Sequence, residues 1–391
     1  MKDENIAEIV KKYDTPIYVY DIAKLKQRIE YMKNSLPEKI LLCYAIKANS
    51  FIVKEVNECV DRFEVCSPGE YHICKETGVT TSKLVISGVN KTPESIEEMI
   101  VNTPDIGHYT AESIEQFYLL DKLSKKHNVK LNVLLRLTSG NQFGMNEQDI
   151  EEFIKNKEKY PNIEIAGIQF FSGTQKHSLK RLQKEIDKVD DFVVYIYETY
   201  GFETKEIEFG TGFPVYYFQS EEFDEKTFFE EFSKILNNMK FKGQITLEVG
   251  RSMVASCGSY MTKVVDMKTN NGQNYAIVDG GIHQLVYYGQ TMAMKHPWYK
   301  MYPQKSGETE EWNICGSLCT INDIIVKQLP IADLKIGDVF VFENTGAYSV
   351  TEGISLFLSR DLPQVALLKQ DGKIEIIRKR FETYNLNKPC Y

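Results

Sequence analysis

The chain has 391 residues, 42% of them apolar and 26% charged, and carries a net charge of −8. That length suits two domains and the balance is that of an ordinary globular enzyme, while an acidic chain without a basic block gives no support to nucleic-acid binding. The start, Met1-Lys2-Asp3-Glu4-Asn5, is too polar for a secretory signal, no apolar run is long enough to span a membrane, and eight cysteines without CxxC or zinc spacing read as reduced thiols. A cytoplasmic protein with no metal site is expected.

The first β-prone run, at residues 17–20, is short and apolar. From residue 40, eight such runs follow, at 40–46, 63–67, 83–88, 105–110, 130–137, 163–171, 206–210 and 245–250. Between them lie amphipathic or capped stretches at 68–77, 92–101, 111–127, 146–157 and 178–200. Thr92-Pro93-Glu94-Ser95 illustrates the helix starts, with a capping hydroxyl, proline at the first position and acid in the first turn. Strand–helix alternation through eight units predicts parallel strands with right-handed crossovers, and eight strands close a barrel.

The alternation stops near Gly258. Beyond it, β-prone runs at 259–266, 275–279, 312–314, 323–326, 338–343 and 364–368 are separated by short polar breaks. Gly337-Asp338 and Asp371-Gly372 are turn signals among them. This predicts an antiparallel β-domain, to which the run at 17–20 adds a strand. The expected division is a (β/α)8 TIM-like barrel over 25–255 and a β-domain built from 1–24 and 256–391.

Chemistry is sought at the C-terminal ends of the barrel strands, where such folds place it. The first end is Leu41-Leu42-Cys43-Tyr44-Ala45-Ile46-Lys47-Ala48-Asn49-Ser50, an apolar run closing on one lysine. Desolvation at the mouth of a buried strand makes an amine more nucleophilic, which suits a Schiff base with an aldehyde cofactor. The later ends are Ser67, Ser87-Gly88, Arg136, Phe171-Ser172-Gly173-Thr174, Glu208-Phe209-Gly210-Thr211-Gly212-Phe213 and Glu248-Val249-Gly250-Arg251-Ser252. Glycines let backbone N–H groups approach an oxyanion, and a helix N-terminus and an arginine add favourable charge, so the last two ends suit a phosphate.

Together these residues resemble the barrel-type (fold type III) pyridoxal-phosphate enzymes, the group holding alanine racemase and the diaminopimelate, ornithine and arginine decarboxylases. Tyr44-Ala45-Ile46-Lys47-Ala48-Asn49 looks like the family's cofactor-lysine motif, and Glu248-Val249-Gly250-Arg251 like its Glu-Pro-Gly-Arg. Cys315-Gly316-Ser317-Leu318-Cys319-Thr320-Ile321-Asn322-Asp323 resembles its catalytic-cysteine loop, and Gly346-Ala347-Tyr348 its Gly-Ala-Tyr. The resemblance implies pyridoxal 5'-phosphate held by Lys47, its phosphate on Gly210, Thr211, Gly212, Gly250, Arg251 and Tyr348, and its ring nitrogen facing Glu248. It also implies a homodimer in which Cys319 of the partner subunit and the β-domain complete each site.

A carboxylate at the ring nitrogen keeps it protonated and strengthens the electron sink, whereas the family's alanine racemases place an arginine there. Glu248 therefore favours loss of CO2 over racemisation. The family's Gly-Leu-His-x-His-Ile-Gly-Ser-Gln reads Gly167-Ile168-Gln169-Phe170-Phe171-Ser172-Gly173-Thr174-Gln175, so Phe171 stands where a histidine stacks on the cofactor; it still stacks but does not titrate. Diaminopimelate enzymes carry Cys-Glu-Ser and an arginine after Asp-Ala-Gly; this chain has Cys319-Thr320-Ile321, and the stretch from Asp279 to Tyr288 has no arginine. A charged distal group would be left unpaired, so the expected substrate is an uncharged-tail or carrier-tethered amino acid. Diaminopimelate, racemase chemistry and a silent regulatory binder are the alternatives.

Overall fold

The computed structural model describes residues 1–390, which form two compact units. One contains Ile29–Pro214 and Asp224–Ser252; the other contains Met1–Arg28, Val215–Phe223 and the chain from Met253 on. The first strand, β1 (Ile17–Asp21), belongs to the second unit.

Eight strands make the first unit: β2 (Leu41–Ala45), β3 (Arg62–Val65), β4 (Leu84–Ile86), β5 (His108–Ala111), β6 (Leu131–Leu137), β7 (Ile163–Phe171), β8 (Glu206–Gly210) and β9 (Gln244–Val249). They pair in chain order and close into a barrel where β9 meets β2, every pairing parallel. Runs such as Leu131–Leu137 are buried on both faces at all but Asn132, because one face fills the barrel and the other meets the helices. The helices begin on side-chain caps as their sequences predict: the Ser95, Gln116 and Arg181 N–H groups donate to the hydroxyls of Thr92, Ser113 and Ser178. Each cap contributes about 1 kcal/mol.

The helix Leu179–Tyr200 buries Leu182, Ile186, Val189, Val193 and Ile196, a stripe at helical spacing worth about 1.5–3 kcal/mol per fully buried side chain. The same helix carries buried Asp190, whose carboxylate accepts the backbone N–H groups of Lys240 (2.7 Å) and Phe241 (2.8 Å). That bond pair anchors the turn leading into β9, whose register against β2 and β8 places Glu248 opposite Cys43 and Gly210. Deeper in the barrel, polar groups occupy positions the sequence reads as apolar strand. Arg62 pairs with Glu206, His108 Nε2 lies 3.6 Å from the same carboxylate, and Thr246 Oγ1 donates to it at 2.6 Å.

The second unit adds β10 (Gly258–Asn270), β11 (Gln273–Val278), β12 (Tyr299–Tyr302), β13 (Thr309–Cys315), β14 (Ile324–Ala332), β15 (Val339–Glu343), β16 (Gln364–Leu368) and β17 (Ile374–Arg378). Pairing is mostly antiparallel, with two parallel exceptions, β1 on β16 and β11 on β13. Strands β12 and β17 have no counterpart in the sequence-based expectation; β12 is only four residues long and half-buried throughout, so no in–out alternation announces it. β1 lies between β10 and β16, with Ile17 opposite both Met261 and Gln364. Its Ile17 and Val19 join Ile6, Ile9, Met261, Val341 and Leu368 in one core.

The loop between β13 and β14 carries exposed Cys319. Asp323 organises it by accepting the N–H groups of Leu318 (2.7 Å) and Ile282 (2.8 Å). Tyr348 has a left-handed backbone (φ 63°), and its carbonyl accepts the N–H groups of Thr351 and Glu352.

Candidate active site

Lys47 follows β2 in the short turn Ile46–Ala48. The turn is fixed from below: the Tyr44 hydroxyl donates to the Asn49 carbonyl (2.8 Å), and the Asn49 side chain accepts the Phe51 N–H (3.0 Å). β3 and β9 flank β2, and each brings one buried carboxylate to the lysine. Glu64 pairs directly with Lys47 Nζ, and Glu248 Oε1 lies 3.3 Å from it. Cys66 Sγ is 3.8 Å from the same ammonium and donates to Glu64 Oε1 at 2.9 Å. Burial, together with the neighbouring Glu64 carboxylate, pushes the Glu248 pKa up, while Lys47 pulls it down.

Glu248 Oε2 accepts the Gln169 amide at 3.3 Å. On the far wall Arg136 pairs with Glu112 (2.8 Å) and lies 4.8 Å over the Phe143 ring. Arg136 Nε, Glu112 Oε1 and Gln169 Oε1 are buried without a hydrogen-bond partner. These side chains enclose a cavity of about 300 Å³, at the lower end of the range for small-ligand sites. Lys47, Glu64, Cys66, Phe171 and Glu248 line it. Beneath it Glu208 is wholly buried with neither carboxylate oxygen paired, and burial and Glu248 push its pKa well up, the state of a neutral acid.

The glycines lie at the same end of the barrel. A Cβ on Gly210 would stand 2.3 Å from the Phe171 ring, so that ring and the β8 backbone are in direct contact. Gly212 has φ 58°, and a Cβ there would stand 2.2 Å from the Gly173 carbonyl oxygen. The Thr211 N–H donates to the Glu248 carbonyl at 3.3 Å. Gly250 precedes buried Arg251, whose Nε donates to Thr174 Oγ1 at 3.3 Å.

Of the residues the sequence singles out, Lys47, Glu248 and Phe171 line one cavity. Gly210 packs on Phe171, and Thr211, Gly212, Gly250 and Arg251 follow at the ends of β8 and β9. Cys319 and Tyr348 lie in the second unit. Glu64 and Cys66 are not singled out in the sequence, Gln169 stands only as a departure from a motif, and Arg136 only as a strand end. The available signal was a carboxylate inside the apolar Phe63-Glu64-Val65 run. An aldehyde within reach of Lys47, a flat ring beside Phe171 and an anionic tail at the glycines match the donors present, so the residues fit pyridoxal phosphate.

A family model described as pyridoxal-dependent decarboxylase, pyridoxal binding domain, matches residues 22–255. The L-glutamyl-[BtrI acyl-carrier protein] decarboxylase of Niallia circulans is 26% identical over 402 residues, spanning 96% of this chain and 93% of that protein. The 2-[(L-alanin-3-ylcarbamoyl)methyl]-2-hydroxybutanedioate decarboxylase of Staphylococcus aureus is 26% identical over 405 residues, spanning 95% and 98%. A solved structure of a diaminopimelate decarboxylase variant from Helicobacter pylori, complexed with L-lysine, matches with a TM-score of 0.87 at 25% identity, over 97% and 98% of the two chains.

Barrel, β-domain and the family match thus define a fold-type-III pyridoxal-phosphate enzyme. The chain belongs to the pyridoxal-dependent decarboxylase family, and its activity is that of a carboxy-lyase. No helix among the described residues is long and apolar enough to cross a membrane.

Proposed function

We propose that the protein removes the α-carboxylate of an amino acid whose side chain carries no free positive charge, with an acidic aminoacyl group tethered to a carrier as the leading class. Bound at the barrel mouth, pyridoxal phosphate supplies an aldehyde for the substrate amine and a ring that takes up the electrons CO2 leaves behind. Lys47 would hold the cofactor through its amine. Glu248, held in position by Gln169, would keep the ring nitrogen protonated, and Phe171 would offer an aromatic surface to the ring. Gly210, Thr211, Gly212, Gly250 and Arg251 would bind the phosphate. The working unit is a homodimer in which Cys319 of the partner subunit delivers the proton to the α-carbon.

The observation that carries the substrate reading is the sequence after Cys319. Thr320 and Ile321 offer no carboxylate to a distal amine, and Ile321 is 91% exposed, which suits a loop that meets a larger body. The Niallia relative acts on a glutamyl group borne by an acyl-carrier protein, in keeping with this reading.

The test is CO2 release by the reconstituted enzyme from free meso-diaminopimelate, ornithine, arginine and glutamate, against glutamyl-loaded carrier protein. Release from the loaded carrier alone is expected. Rapid release from free diaminopimelate would overturn the substrate reading and leave the decarboxylase in place.

A further inference from the structure

One buried cation at the barrel mouth has no part in the site as drawn so far. Lys176 lies five residues past the end of β7, in a polar stretch that reads as a solvated loop, yet its side chain is 0% exposed. Its Nζ donates to Glu185 Oε2 at 2.7 Å and to the Gly210 carbonyl at 3.2 Å. Its own N–H donates to the Gly212 carbonyl at 2.9 Å. Glu185 is anchored in turn, its Oε1 accepting Ser172 Oγ (2.7 Å) and Arg181 Nε (3.0 Å).

The consequence falls on a single peptide. The Gly210–Thr211 unit has its carbonyl held by Lys176 and its N–H held by the Glu248 carbonyl at 3.3 Å, so its plane is set from both ends. A buried ion pair gives little net stability over apolar residues of the same volume. Here the pair does something apolar residues do not: it orients a glycine backbone and places a positive charge directly behind it.

Resting on the phosphate placement proposed above, we infer that Lys176, held by Glu185, is the positioning cation of the phosphate cradle. It sets the Gly210–Gly212 backbone and adds to the field that favours a dianionic phosphate monoester. Counting Lys176, Arg181 and Arg251 against Glu185 and Glu248, the charged groups around this turn leave one net positive charge for the anion.

The test uses the full-length protein stripped of cofactor and titrated with pyridoxal phosphate and, separately, pyridoxal, which has the same ring and aldehyde but no phosphate. Bound ligand is read from its absorbance. Lys176→Met should weaken pyridoxal phosphate roughly 10- to 100-fold, the loss of a hydrogen-bonded charge, and leave pyridoxal within about twofold. Equal weakening of both ligands, or of neither, would overturn the inference. A wild-type protein that binds pyridoxal as tightly as pyridoxal phosphate would instead overturn the phosphate placement itself.

Glu185→Gln keeps the shape of the cluster and serves if the methionine variant does not fold. Lys176 is faced by Glu185 and Arg181 from the helix and by Glu248 from β9, and burial lowers its pKa while Glu185 raises it. Without the Glu185 charge, the preference for pyridoxal phosphate over pyridoxal should fade at a lower pH than in the wild type. Coincident pH profiles would count against the role.

Discussion

Gln169 hands its amide hydrogen to Glu248 Oε2 across 3.3 Å, reaching past β8 from one barrel strand to another. The carboxylate is thereby steadied on one oxygen by a neutral donor, while Lys47 lies 3.3 Å from the other. A donor to the charged form lowers a pKa, so removing it raises one. Gln169→Leu should lower kcat about tenfold and move its acid limb to higher pH, measured as CO2 release between pH 5 and 8. An unchanged limb would separate Gln169 from the titration of Glu248.

Lys47→Ala should abolish both turnover and the visible band of bound cofactor. Two buried carboxylates, Glu64 and Glu248, then face each other without their shared ammonium. The variant is therefore also expected to raise the pH at which Glu248 protonates, since Lys47 is one of the groups that pull its pKa down, readable in the pH dependence of its unfolding. Retained activity in Lys47→Ala would remove the lysine from the chemistry.

Gly210→Ala drives a methyl into the Phe171 ring. Overpacking of this kind costs about 1–3 kcal/mol, and a denaturant midpoint measures it. The double variant Gly210→Ala with Phe171→Ala should recover part of that loss, because the ring that clashes is gone. Additive losses would show that the strain lies elsewhere.

If each site takes Cys319 from the partner subunit, two inactive proteins should rescue each other. Lys47→Ala mixed with Cys319→Ala, after subunit exchange, should regain about one quarter of wild-type activity, since random pairing leaves half the dimers with one intact site. No recovery despite demonstrated exchange would place both residues in one subunit's site.

His283 is buried, and burial with the nearby Arg360 lowers its pKa to about 4. The unfolded chain, with an ordinary histidine near 6.5, takes up that proton first as the pH falls. The contribution is complete above pH 6.5 and is lost on descending toward about 4, with a limiting slope of about 1.4 kcal/mol per pH unit. His283→Gln should flatten the fall in unfolding free energy over that window. An identical slope in both proteins would contradict the buried neutral state.

Periodicity made the barrel legible: strands such as Ile163–Phe171 are apolar enough to be buried on both faces, and their helices begin on hydroxyl caps. Lys47 and Glu248 stand out because each ends an apolar run. Glu64 did not, because alternation along a strand turns every second residue inward, and an inward charge looks like an outward one until the barrel closes. Gln169 was visible only as a departure from a motif. Lys176 was hidden most completely: nothing in Ser172-Gly173-Thr174-Gln175-Lys176 distinguishes a lysine folded beneath a glycine backbone from one in water. β12 escaped for the opposite reason, having too little burial to leave a pattern.

The position of β1 between β10 and β16 sets an order of events during synthesis. All eight barrel strands, through Val249, leave the ribosome before either neighbour of β1 exists. Residues 17–21 therefore emerge first among the strands and are paired among the last, waiting through some 240 residues of translation with both edges open. A nascent chain halted before Gly258 would carry β1 as an orphaned apolar strand, and one halted before Gln364 would leave one of its edges open, a natural handle for chaperones and proteases that inspect unfinished proteins.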